Sequence, residues 1–304
     1  MATQPQPLTL LIDASSLIYR AFFSTPENVK SPGGISVNAA HGFINMLARL
    51  VSDRDPDYLA CATDEDWRPQ WRVDLIPSYK THRTAEERTD QASQAEDQLE
   101  VQIPIIFELL EMVRFPVAGC QEFEAEDVIG ALAARSVGRV EIVSGDRDLF
   151  QMIRDPDICV LYPRRGVTDP IRADESYIQN KYQIPGRAYG DFALLRGDPS
   201  DGLPGVPGIG EKTAAQLITK FGSLEKVIEA AITGDGSGPL GKVKGSLEYL
   251  DRAVKVVLIS PEVPLGRVDM TRPRDEPDDS VWPIAQDYGL DGPLRRLVSA
   301  LRGL

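Results

Sequence analysis

This sequence predicts an α/β fold with a mostly parallel sheet covered by helices on both faces, on three observations. Four β-rich apolar runs recur along the chain, segments with helical spacing separate them, and three of the runs end at or next to an aspartate. The runs are LTLLID (8–13), DYLACATD (57–64), RVEIVSGD (139–146) and DICVLYP (157–163). Each is short and apolar with polar residues at its ends, which predicts a buried strand. Between them, NAAHGFINMLARLVS (38–52) and EDVIGALAARS (126–136) place apolar residues three and four apart, which predicts helices. In such folds the carboxyl ends of the strands form the site crevice, so Asp13, Asp64 and Asp146 are expected to converge there.

The composition bounds the alternatives. With 304 residues, 42% hydrophobic and 26% charged, the chain suits one large domain or a domain with an appendix. No stretch approaches the roughly 20 apolar residues of a membrane helix, and MATQPQPLTL lacks the pattern of a signal peptide. A cytoplasmic (bacterial cytosolic) protein without a membrane partner is expected. Cys61, Cys120 and Cys159 are odd in number and isolated in or beside apolar runs, so they read as small core residues. A net charge of −13 argues at first against a nucleic-acid partner, because phosphate binding needs cations.

The acidic residues are not scattered. EFEAEDVIGALA adds Glu124, Glu126 and Asp127 at a helix start, more carboxylates than capping requires. SGDRD adds Asp148 beside Asp146, and LLRGDPSDGLPG adds Asp198 and Asp201 after an apolar helical segment. These nine carboxylates have no histidine or cysteine among them, and the chain has only His41 and His82. An all-oxygen set suits a hard cation, Mg²⁺ or Mn²⁺, rather than zinc or copper. Two or more such ions about 4 Å apart are the usual apparatus of in-line phosphodiester displacement. Setting the nine aside takes the formal charge from −13 to −4, which answers the objection to a nucleic-acid partner.

A second motif points to the same substrate. GLPGVPGIGEKTAAQLITKFGSLEKVI (202–228) sets Gly205, Gly208 and Gly210 in a short turn, followed by Lys212 and Thr213 at a helix start. Glycine there lets backbone N–H groups and the helix N-terminus approach a phosphate without reading base sequence.

The order and distances of LLIDASSLIYRAFF, YKTHR, FEAEDVIGALA, IVSGDRDLFQ and GDPSDGLPGVPGIGEKTA resemble the flap endonuclease family. The likeness is to the bacterial 5′ nuclease domain found alone or fused to DNA polymerase I, and it spans roughly residues 8 to 260. It implies a PIN-like nuclease core over 1–180 that includes a helical arch at about 78–105. It also implies a helix-hairpin-helix DNA-binding region over 181–260, with a C-terminal extension, 261–304, packing on the core. The tail is expected to wrap over the helical region and end in a short helix. A free-standing, monomeric nuclease is expected, cutting branched DNA: 5′ flaps, gapped flaps, and nicked or recessed 5′ ends. Mg²⁺ or Mn²⁺ would serve it, with potassium at the hairpin.

By the same resemblance Glu126, Asp127, Asp146, Asp148 and Asp201 match inner metal positions, and Asp13, Asp64, Glu124 and Asp198 the surrounding carboxylates. Lys80 and Arg83 match arch-base cations beside the scissile phosphate, Tyr79 a ring near the displaced nucleotide, and Arg20 a basic position facing the site. Lys80 and Arg83, three apart, would share a helix face. The chain departs from the bacterial E-A-D-D pattern at Glu126, a longer acid that eukaryotic relatives also carry. The interval before Arg72 is about one residue longer than usual, so Asp64 or Asp66 could be the matching carboxylate, Asp64 lying nearer the strand end. The acidic stretch 81–102 is expected to be mobile until DNA threads beneath it. A branched-DNA-binding protein that has lost catalysis is the alternative from another class, and a PIN-like RNase leaves the hairpin without a purpose.

Overall fold

A computed structural model describes residues 6–84, 97–164, 166–234, 236–260 and 262–304. All four expected strands form, as β1 (Leu8–Asp13), β2 (Tyr58–Ala62), β4 (Arg139–Val143) and β5 (Ile158–Tyr162). Two short edge strands join them, β3 (Val117–Ala118) and β6 (Ile171–Ala173). The sheet order is β3-β2-β1-β4-β5-β6, parallel except for β6. From β1 the chain builds outward through β2 to β3, then returns to place β4 on the other flank of β1. This reversal opens a crevice at the carboxyl ends of β1 and β4. Register pairs Asp13 with Ala62 and Ile12 with Val143, so the three central strands end level at one rim.

Alternation along the strands sends side chains to two cores. Leu10, Ile12, Leu59, Cys61 and Val143 face a layer of α1 (Ala14–Ser24), α2 (Asn38–Arg54) and the helices Gln102–Met112 and Asp291–Arg302. Leu11, Ala60, Ile142 and Val160 face the helix Ala125–Arg135 and the helical region beyond residue 175. Cys61 and Cys159 are buried in strands and Cys120 is half-buried, all three as free thiols.

Side chains close the weak points. No side chain caps α2 from Val37, and the Gln102 Oε1 instead accepts from the N–H groups of Ala39 (2.8 Å) and Ala40 (3.3 Å). That contact ties the helix after the 85–96 segment to the core. The mobile arch expected over 81–102 falls largely on residues 85–96, which lie outside the described residues.

The C-terminal tail takes a different course from the expected wrap over the helical region. Leu265, Val268 and Met270 do pack in the layer that region shares, but the chain then runs alongside the start of β2, where Met270 O accepts from Leu59 N–H and Thr271 bridges antiparallel to Tyr58. Its last helix, Asp291–Arg302, lies on α2, because Leu294, Leu297, Val298 and Leu301 form an apolar stripe that finishes the α2 face. Buried Arg272 donates to the final carbonyls Ala300 O (2.6 Å) and Leu301 O (2.7 Å), a cation at a helix C-terminus.

Candidate active site

The crevice is built around Asp13. This last residue of β1 caps α1 by accepting from Ser16 N–H (3.0 Å), and its other oxygen accepts from Ser144 Oγ (2.5 Å) just past β4. Burial, and then the charges of Asp64 and Asp146, push its carboxyl up to about 7. Asp64 accepts from Ala125 N–H (2.7 Å), which joins the β2 end to the helix carrying Glu124, Glu126 and Asp127. Asp66 instead turns its Oδ1 back to Arg68 N–H (3.2 Å), so Asp64 is the carboxylate among the others.

Beyond β4, Asp146 Oδ1 accepts from Asp148 N–H (2.8 Å), a turn that sets both acids side by side. Burial raises both carboxyls, and Asp148 is pushed further by Asp146, Asp201 and Asp198. Asp198 caps the short 3₁₀ turn Pro199–Asp201 through Ser200 N–H (2.9 Å) and thereby presents Asp201. Burial likewise raises the carboxyls of Glu124 and Glu126 against the pull of Lys80 and Arg72.

Cations interleave with these acids. Lys80 Nζ is 2.5 Å from Glu124 Oε2, and Arg83 Nη2 is 2.6 Å from Asp201 Oδ1. The two residues do not share a helix face: Lys80 is left-handed (φ 48°) and precedes a 3₁₀ turn, so it turns inward while Arg83 reaches outward. Arg20 lies beside Gly145, and a Cβ on that glycine would stand 3.3 Å from the arginine Nη2.

Tyr79 departs from its expected place. Its ring is 2% exposed and its hydroxyl donates to Glu124 (2.9 Å to Oε1), so it offers no face to a nucleotide. The packing of α3 (Gln70–Leu75) and the turn after it against the helix Ala125–Arg135 draws it inward. Two well-exposed aromatics stand on α1, Tyr19 (56%) and Phe23 (61%), with ring centroids 4.8 Å apart and flanking Arg20 in sequence. Sequence reasoning passed over them, although both fall outside the buried set Ala14, Leu17, Ile18, Ala21 and Phe22. Arg72 was also passed over as a site residue; it is fully buried against Glu124 (3.1 Å), Glu126 (3.3 Å) and Asp127 (2.9 Å).

Among the described residues no three His, Cys, Asp or Glu side chains already close around one point as a metal-ligand set. The guanidinium and ammonium groups of Arg72, Lys80 and Arg83 stand between them. The residues nevertheless fit divalent cations: the donors are all oxygen, and burial first, then the neighbouring acids, hold these carboxyls high, a condition that hard positive charge relieves.

The glycine turn is formed as expected. Gly205 (φ 65°) and Gly208 (φ 75°) are left-handed, and a Cβ on Gly205 would lie 2.5 Å from the backbone of Arg196 and Gly197. Gly210 caps the helix Glu211–Phe221, with open space around it, exposed Lys212 and half-buried Thr213 following. Lys242 Nζ donates to Gly208 O (2.9 Å), placing an ammonium on the turn. A groove of about 790 Å³ opens beside Asp64, lined in part by Ile103, Phe107 and Arg114.

Comparison with known proteins agrees over nearly the whole chain. Residues 8–183 match the family "5′-3′ exonuclease, N-terminal resolvase-like domain" and residues 184–278 match "5′-3′ exonuclease, C-terminal SAM fold". A 5′-3′ exonuclease of Streptomyces coelicolor is 44% identical, covering 96% of this chain and 99% of the relative. One of Mycobacterium tuberculosis is 40% identical, covering 97% and 98%. Among solved structures, a bacteriophage T5 D15 flap endonuclease in a pseudo-enzyme-product complex with DNA and metal ions superposes with a TM-score of 0.69. It is 18% identical and covers 97% of this chain and 99% of its own, a likeness of fold.

Proposed function

The chain belongs to the 5′-3′ exonuclease family, and from that premise we propose a structure-specific 5′ nuclease that hydrolyses DNA phosphodiesters at 5′ flaps and at nicked or recessed 5′ ends in replication and repair. One observation carries this reading: five chain segments contribute Asp13, Asp64, Glu124, Glu126, Asp146, Asp148, Asp198 and Asp201 to one rim, with Lys80 and Arg83 among them. The buried acids would hold two or more Mg²⁺ or Mn²⁺ ions, which when bound supply activation of water and stabilisation of the leaving oxygen. The chain itself supplies the rest. Lys80 and Arg83, released from Glu124 and Asp201, would neutralise charge on the scissile phosphate. Arg20, over Gly145, would hold a neighbouring phosphate, and Tyr19 with Phe23 would offer stacking faces to an unpaired base.

The glycine turn, Lys212 and Lys242 would grip the duplex backbone without reading sequence. A 5′-labelled flap duplex with a one-nucleotide 3′ gap tests the reading, incubated in EDTA, Mg²⁺ or Mn²⁺ with products resolved by size. Metal-dependent release of the flap near the branch is expected. Tight binding with no cleavage in either metal would overturn the nuclease reading in favour of a branch-binding protein.

A further inference from the structure

Arg72 carries a consequence beyond the carboxylate inventory. It comes from α3 and its side chain is 0% exposed, so its permanent charge must be matched inside the protein. Its Nη2 donates to both oxygens of Asp127, at 3.0 and 2.9 Å. Its Nη1 faces Glu124 at 3.1 Å and Glu126 at 3.3 Å. Asp127 has no lone pair left facing outward: its Oδ1 also accepts from Ser260 N–H (3.0 Å), its Oδ2 from Glu124 N–H (3.4 Å), and the residue is 0% exposed. Glu126, by contrast, keeps 11% of its side chain exposed, and one planar cation orients it together with Glu124.

We infer that the buried Arg72–Asp127 pair is a strut that holds Glu124 and Glu126 in their metal-facing positions, and that Asp127 itself is not a metal ligand. Arg72 is thus a positioning residue for the proposed site, and the inference rests on that function. Without Asp127 the guanidinium would lack a full partner; without the guanidinium, three acids at one helix start would repel one another. A lysine at position 72 keeps the charge but lacks the fork that spans three carboxylates.

The test is Mn²⁺ binding to the whole protein in the absence of DNA, followed by electron paramagnetic resonance of free Mn²⁺, with thermal unfolding in EDTA as a second measurement. Wild type, Asp127→Asn, Arg72→Lys and Glu126→Gln are compared. Asp127→Asn is expected to bind the same number of ions as wild type, because its amide oxygen still accepts from Arg72 and Ser260, while affinity falls and unfolding in EDTA comes at lower temperature, because the buried guanidinium loses its charged, two-oxygen partner. Glu126→Gln is expected to lose at least tenfold. Arg72→Lys is expected to lose about tenfold or more while unfolding within a few degrees of wild type. Loss of an ion in Asp127→Asn, as in Glu126→Gln, would overturn the inference, as would wild-type Mn²⁺ affinity in Arg72→Lys. A wild-type protein that binds no Mn²⁺ and cuts no flap would instead contradict the nuclease reading itself, which separates the two failures.

Discussion

The Nζ of Lys80 lies 2.5 Å from Oε2 of Glu124, a buried contact that links the segment leading into residues 85–96 with the acid cluster at the sheet rim. Burial works against the ammonium, and Glu124, Glu126 and Asp201 overcome it, so the Lys80 pKa rises and the group stays charged. Its charge is held by acids that would turn to metal, which leaves it available to a phosphate in the transition state. Lys80→Ala should therefore lower single-turnover cleavage by about 10²–10³, the scale of losing one preorganised donor. The Kd for the flap duplex should stay within about threefold. An effect on affinity alone would reassign Lys80 to DNA positioning.

The carboxyl of Asp13 makes stability in EDTA depend on pH. Its folded value of about 7 stands above the ordinary 3.8, so between these values the folded protein holds a proton that the unfolded chain has lost. The resulting loss of stability is absent below about pH 4, grows as pH rises and is complete above about 7. Melting temperature in EDTA should fall between pH 5 and 7.5, and Asp13→Asn should raise it by a few degrees at pH 7.5. Equal melting of wild type and variant at that pH would contradict the burial of Asp13 among other acids that is assigned to the crevice.

Gly202 joins the Asp201 loop to the Lys80 turn. It is left-handed (φ 69°), and a Cβ there would stand 2.0 Å from Ser78 O, while Lys80 N–H donates to Asp201 O (2.9 Å). Gly202→Ala should push the two segments apart, lowering cleavage at least tenfold and the melting temperature by several degrees. Unchanged cleavage would show that the contact between these segments is dispensable.

Lys242 is the ammonium on the glycine turn. Lys242→Ala should weaken flap, gapped and nicked duplexes alike and flatten the slope of log affinity against log salt by about one. A loss confined to one substrate would contradict a sequence-independent grip on the duplex backbone.

The legible parts of this protein were those with a period. β1, β2, β4 and β5 and the helices at 38–54 and 125–135 appear in the sequence because buried strands and amphipathic helices impose their own spacing. The two-residue β3 and the antiparallel β6 do not, since segments so short have no period to display. The nine acids were singled out from residue type and place: Asp13, Asp64, Asp146 and Asp148 at strand ends, Glu124, Glu126 and Asp127 at a helix start, and Asp198 and Asp201 in a loop after a helical segment. The withdrawal of Asp127 was not, because it depends on where α3 delivers Arg72, a contact spanning 55 positions. Tyr79 illustrates the same limit: its side chain points inward through packing that no neighbouring residue encodes. The tail ends in a helix packed on the core, as read, but its course was not legible, since the face of α2 that receives Leu294 and Leu297 is visible only once the first layer is folded.

The most direct measurement of the central claim is a rapid-quench single turnover on a 5′-labelled gapped flap. Protein and DNA are mixed in EDTA and the reaction is started with excess Mg²⁺ or Mn²⁺, for wild type and for Asp148→Asn. Wild type is expected to release the flap near the branch in one turnover. Asp148→Asn should retain flap affinity within about threefold but cut at least about 10³ more slowly. Equal cleavage by both proteins, or no cleavage by wild type in either metal, would contradict the assignment of this acidic rim as the metal-dependent catalytic centre.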